Sequence, residues 1–138
     1  MSKEIINPAS LAQPRGFNHG ILTRGGTVLF LAGQDASDGD GQIVAPSDLV
    51  AQCRQVLHNL HAVVHEAGGQ MTDIVKLNVY VTSRDAYVEQ LKPLGALFRE
   101  YFGNYYPAMA LFQVGALFQP AALIEMEGFA VLGAEEQG

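Results

Sequence analysis

Apolar and polar residues alternate through "DIVKLNVYV" at 73–81, a period of two that predicts a strand. Val75, Leu77, Val79 and Val81 fall on one face, which should meet helices. Lys76, Asn78 and Tyr80 share the other, a face suited to a water-filled or intersubunit space. Earlier in the chain the period lengthens. Leu49, Cys53, Val56, Leu57, Leu60, Val63, Val64 and Ala67 recur at helical spacing. Ser47 is placed to cap that helix, Asp48 suits its positive end, and Gly68-Gly69 stops it. A second helix is expected from about Ser83, with Tyr87, Val88, Leu91, Leu94, Phe98, Tyr101 and Phe102 as its apolar stripe. Pro93 should kink or restart it, because a proline removes a backbone donor.

The segment "HGILTRGGTVLFLAGQ" at 19–34 reads as a hairpin. Ile21 and Leu22 lead into a Gly25-Gly26 turn, and 27–32 returns as a strand. An acidic, glycine-rich loop follows. Two further strands occupy "PAMALFQV" at 107–114 and "LIEMEGFAV" at 123–131, with "GALFQP" between them. The order hairpin, helix, strand, helix, strand, strand predicts one α+β domain over 1–138, a mixed sheet with two helices on one face. The other face stays exposed unless subunits associate through it.

The last strand poses the functional question. Glu125 and Glu127 share a face with Leu123, Phe129 and Val131, while Ile124, Met126, Gly128 and Ala130 take the other. Both faces are largely apolar, and an unpaired buried carboxylate is costly. Either the acids are paired structural charges or at least one lines a site.

Composition narrows the partners. Hydrophobic residues make up 49% of the 138 residues and charged ones 16%, an apolar balance that points to self-association. A net charge of −6 with eight scattered Lys and Arg argues against nucleic acid and against an anionic membrane surface. The sequence shows no signal-peptide or membrane-length apolar run, and its lone Cys53 permits no internal disulfide. The expectation is a soluble cytoplasmic protein.

Three clusters are read as structural. Cys53 lies in the first helix's apolar stripe and is expected to pack rather than react. His58, His61 and His65 lie on that helix's opposite face, and the His61/His65 pair has no third ligand nearby, so no metal is expected. Asp35, Asp38 and Asp40 lack the spacing and closing Glu of an EF-hand loop and suit a solvated turn.

Taken in order, "LFLAGQ" at 29–34, "QCRQVLHNLHAVVHEAGG" at 52–69, "DIVKLNVYV" at 73–81, "YYPAMALFQV" at 105–114 and "IEMEGFAVL" at 124–132 resemble the YjgF/RidA superfamily of reactive-intermediate deaminases. The resemblance covers most of the chain beyond residue 15, and it is specific as a set. It implies a chorismate-mutase-like α+β fold and a homotrimer with three clefts at subunit interfaces. For the best-studied branch it also implies hydrolysis of enamines and imines such as 2-aminoacrylate to a keto acid and ammonia. It implies no cofactor and no metal. Glu125 matches the family carboxylate that positions water near the imine carbon, Glu127 a second acid read as structural, and Gly33 a glycine whose backbone borders the substrate.

The departures shape the expected chemistry. Met109 stands where deaminating relatives carry an arginine that grips the substrate carboxylate. Phe17 replaces a family tyrosine, Ala32 a serine and Leu111 a cysteine, and Gly95 aligns with an asparagine. Loss of the arginine removes about 1.5–3 kcal/mol of charged contact, roughly ten- to a hundred-fold in affinity. The expected substrate-binding surface therefore comprises Phe17, Ala32, Gly33, Met109 and Leu111, with Asn18, His19, Gln34 and Gln113 as further polar points. Apolar surroundings raise a carboxyl pKa, which suits Glu125 to general acid–base work near neutrality. The structural alternative for Glu125 is an acid satisfied by backbone donors or Lys76, and for His19 a loop histidine. The expected function is hydrolysis or binding of a small imine-, enamine- or carbonyl-containing metabolite at an intersubunit cleft, with anions disfavoured unless Arg24 or Lys76 fills the place of the lost arginine. A non-catalytic small-molecule-binding or regulatory trimer is the alternative. An endoribonuclease or translation inhibitor comes third, against the charge.

Overall fold

The computed structural model describes residues 1–133. Along them run β1 (Ser2–Ile6), β2 (Gly20–Arg24), β3 (Thr27–Gln34), α1 (Leu49–Glu66), β4 (Ile74–Val81), α2 (Arg84–Glu89), α3 (Leu91–Phe102), β5 (Ala108–Gln113) and β6 (Ile124–Leu132). The main sheet has the order β3-β6-β4-β5, and β1 and β2 form a separate antiparallel pair. β6 runs antiparallel to both neighbours, whereas β4 and β5 are parallel. Parallel strands need a crossover, which α2 and α3 supply between β4 and β5. α1 likewise carries the chain from β3 over β6 to β4. Both crossovers step in the same direction across the sheet, so their common right hand puts the helices on one face.

That face holds the core. Cys53, Val56, Leu57, Leu60 and Val64 of α1 and Leu94, Leu97 and Phe98 of α3 are buried with Leu77, Val79, Val81, Ile124 and Met126 of the sheet. Burial pushes the Cys53 thiol up to about 12, in keeping with packing rather than nucleophilic work. Gly128 is required where β6 crosses β4, since a Cβ there would strike the backbone carbonyl of Lys76. The fully buried Gln52 was not foreseen. Its amide nitrogen donates to the carbonyls of Ala45 (3.1 Å) and Ala121 (3.0 Å), and its Oε1 accepts from Leu123 N–H (2.8 Å). It thereby fastens the start of α1 to the chain just ahead of β6.

Several local expectations are corrected. β2 and β3 follow one another through Gly25 and Gly26, both at positive φ, but do not pair as a hairpin. β1, whose sequence does not alternate, takes β2 in register from Ser2↔Arg24 to Ile6↔Gly20, and β3 pairs with β6 instead. The cap of α1 is Asp48, which accepts from Ala51 N–H at 3.0 Å, rather than Ser47. A register shift between Ile74 and Lys76 sends Ile74 into the core in place of Val75. The second helix is divided at Gln90, and Pro93 sits in the first turn of the restarted α3, where its missing donor costs little. The break leaves Val88 and Leu91 exposed, while Leu97 joins the core.

Candidate functional site

The alternation of β6 separates its residues cleanly. Ile124, Met126 and Ala130 are fully buried beneath the helices, and Glu125 and Glu127 stand on the opposite, open face. There the two acids meet different surroundings. Glu127 accepts hydrogen bonds from Asn78 Nδ2 (3.3 Å), its register partner on β4, and from Tyr80 Oη (2.6 Å), two residues further along that strand. The bond to Glu127 holds the Tyr80 proton, raising that phenol's pKa, and the Tyr80 ring stacks on Phe112 with centroids 5.6 Å apart. The second acid is therefore a paired group.

Glu125 is not paired. Among the described residues neither a backbone donor nor Lys76 hydrogen-bonds to it. Partial burial raises its pKa first, with Asp35 and Glu127 adding like-charge repulsion. Its position is cut by β3: the ladder shifts register between Leu31 and Gln34, and this irregularity swings Gly33 over the carboxylate. A Cβ at Gly33 would intrude on Glu125 Oε2, so glycine alone leaves the acid its place. Ala32 lies beside a shallow hollow of the same face with Phe30, Asn78 and Glu127. Gln34 pairs in register with Met126.

Phe17, Met109 and Leu111 gather elsewhere. They line a cleft of about 440 Å³ between α3, β5 and the segment that precedes β2. Met109 and Leu111 pair with Leu77 and Val79, whose side chains point to the helices, whereas Glu125 pairs with Tyr80 on the reverse side. Within one protomer Met109 and Glu125 thus lie on opposite faces of the sheet. The cleft is also less neutral than its apolar lining suggests, because Arg15 and Arg99 both border it. Neither cation foreseen as a substitute for the lost arginine is among them: Arg24 faces Glu4 at 3.6 Å, and Lys76 lies on β4 opposite Phe129. Tyr87 lies at the same cleft with its phenol proton held by burial.

The remaining candidates are occupied by the fold. Asn18 bridges to Ala108, donates from its backbone to Pro107 O (3.1 Å) and from Nδ2 to Tyr106 O (2.7 Å), and accepts from Asn7 Nδ2 (2.8 Å). The His19 backbone donates to Asn7 Oδ1 (2.8 Å), and its ring Nε2 lies 2.7 Å from Ala12 O, edge-on to Phe17. Both residues tie the 7–19 segment down. Gln113 Oε1 accepts from the backbone of Arg84 at the start of α2 (2.8 Å). His58, His61 and His65 are exposed, and no three metal-ligating side chains cluster among the described residues. Arg15 and Arg99 escaped the sequence reading; the Gly95-to-Arg99 spacing of one helical turn is the signal that was there to find.

Comparison with known proteins agrees across nearly the whole chain. The family model described as endoribonuclease L-PSP matches residues 8–132. A RutC family protein of Pyrococcus abyssi is 30% identical over 131 residues, 94% of this chain and 98% of the relative. The crystal structure of the Rid family protein YyfB from Yersinia pestis, of unknown function, superposes with a TM-score of 0.85 at 36% identity, covering 96% of this chain and all of that one. The YjgF gene product of Escherichia coli gives 0.67 at 29% identity, covering 91% and 92% of the two chains. The order of elements, the mixed sheet and these matches together place the chain in the YjgF/RidA superfamily.

Proposed function

We propose that the protein hydrolyses the C=N bond of a small imine or enamine, or acts on a related carbonyl compound, in a cleft completed by two protomers, with Glu125 as its acid–base group. One observation carries this reading. Of two acids on one strand face, Glu127 is satisfied by Tyr80 and Asn78, while Glu125 stands unpaired beneath Gly33 with a raised pKa. A carboxyl so placed takes a proton from water as the oxygen adds to the imine carbon. It then returns a proton to nitrogen, and the carbinolamine releases ammonia and leaves a carbonyl.

The open face supports an assembly of copies. Phe30 is 74% exposed and meets Phe129 edge-on, and Phe112 is exposed beside Tyr80. A second copy covering this surface, as in the proposed homotrimer, is what would bring one protomer's Glu125 toward another's Met109 cleft. With Met109 unable to pair a carboxylate, 2-aminoacrylate is expected to be a poor substrate.

Turnover of a panel of imines by wild type and Glu125→Gln is the test. A loss of about 10²–10⁴-fold in the variant is expected for a general acid–base group. Equal rates would take the carboxylate out of the mechanism. Ligands that stabilise the fold against heat without being consumed by wild type would favour the non-catalytic binder.

A further inference from the structure

The arginines of this chain divide into two sets. It has five, and three face carboxylates: Arg24 with Glu4, Arg54 with Glu100 (2.8 Å) and Arg84 with Asp85 (3.0 Å). The other two are Arg15 and Arg99, and both border the cleft between α3 and β5. Among the described residues neither has an ion-pair partner, and the cleft lining contains no Asp or Glu. Fourteen acids against eight Lys and Arg make the protein acidic, yet this concavity carries only positive charge. Two cations bordering one cleft whose lining holds no acid favour an anion there.

The sequence makes room for this. Arg99 lies one turn after Gly95, and its Nη1 is 3.5 Å from where a Cβ of residue 95 would stand. The guanidinium therefore lies back along α3 over the bare glycine and toward the cleft. The rest of the wall is apolar: Phe17, Leu94, Phe98, Met109 and Leu111 offer a floor for hydrocarbon or an aromatic ring. About 440 Å³ also falls within the range of small-molecule sites.

We propose that this cleft binds an organic carboxylate with an aryl or branched alkyl body, its anionic end held by Arg15 and Arg99 in place of a cation at position 109. The planar fork of arginine suits bidentate capture of a carboxylate. The apolar wall supplies the preference for a large body, so a two- or three-carbon acid should bind poorly. The proposal names the ligand class of the cleft; only the statement that such a ligand is also turned over rests on the function proposed above.

Calorimetric titration of the full chain with phenylpyruvate, its neutral amide, pyruvate and phenyl phosphate tests it. Phenylpyruvate should bind best and weaken with added salt, because both arginines are solvent-exposed. Arg15→Gln and Arg99→Gln should each weaken it by roughly ten- to a hundred-fold, with thermal unfolding unchanged. Arg99→Lys should lose part of that affinity, and Arg84→Gln none. The proposal is overturned if the amide binds as well as the acid, if the arginine variants bind like wild type, if phenyl phosphate is preferred, or if none of the four binds. Arginine-dependent binding without turnover of any imine would sink the hydrolytic reading and leave this one standing.

Discussion

The open sheet face around Glu125 and the cleft around Arg99 handle charge in opposite ways. On the open face, acid is crowded against acid: Glu125 has Asp35 and Glu127 as neighbours, and only Glu127 is relieved by donors. In the cleft, base is gathered against apolar wall with no acid to answer it. The first arrangement raises a carboxyl pKa; the second, in the proposal above, takes an anion. Because the sheet lies between them, one protomer cannot bring both to a single ligand; only the assembly proposed above would do so.

The strongest way to break this comparison is Glu125→Gln. Imine turnover should fall by about 10²–10⁴-fold while phenylpyruvate titration keeps its dependence on the two arginines. Parallel loss of both would mean that the regions do not divide the work. Next in size is Gln52→Leu. It orphans the carbonyls of Ala45 and Ala121 and the N–H of Leu123, at roughly 1–3 kcal/mol for each group left without a partner. Denaturant unfolding should show the loss, and since Leu123 opens onto the strand of both acids, turnover should fall further than cleft binding. Tyr80→Phe removes a donor from Glu127 and should cost about 0.5–1.5 kcal/mol. An unchanged midpoint would mean that the second acid needs no partner.

The smallest expected effect is on pH dependence. The folded pKa of Glu125 lies above its unfolded value, so the native state holds the proton more tightly. Its contribution is present below the unfolded pKa and is lost as pH rises through the folded one. Stability should therefore slope gently downward across that window, and Glu125→Gln should flatten the slope. A slope of the opposite sign would place the acid in a site that favours its charge.

What was legible in the chain was periodicity. Alternation at 73–81 marked one central strand, the largely apolar 123–131 was read as the other, and helical spacing marked α1 and most of α3. Pairing was not. The Gly25-Gly26 turn carries every local mark of a hairpin, yet β2 is claimed by a strand some twenty residues earlier whose "SKEII" shows no alternation. The bulge that exchanges Val75 for Ile74 likewise depends on how β6 lies across β4. The separation of Met109 from Glu125 follows from strand order and register, which a single sequence does not state. Arg15 and Arg99 are 84 positions apart, and only the fold brings the segment that precedes β2 to the same cleft as α3.

Asn7 has a practical importance out of proportion to its place. Its one side chain clasps both Asn18 and the backbone of His19, and these in turn fix the strip of chain on which Arg15 rides. Trimming the protein ahead of residue 8, or burdening its beginning with an affinity tag, would loosen one wall of the cleft from a distance, and assays on such material would understate the affinity proposed for it.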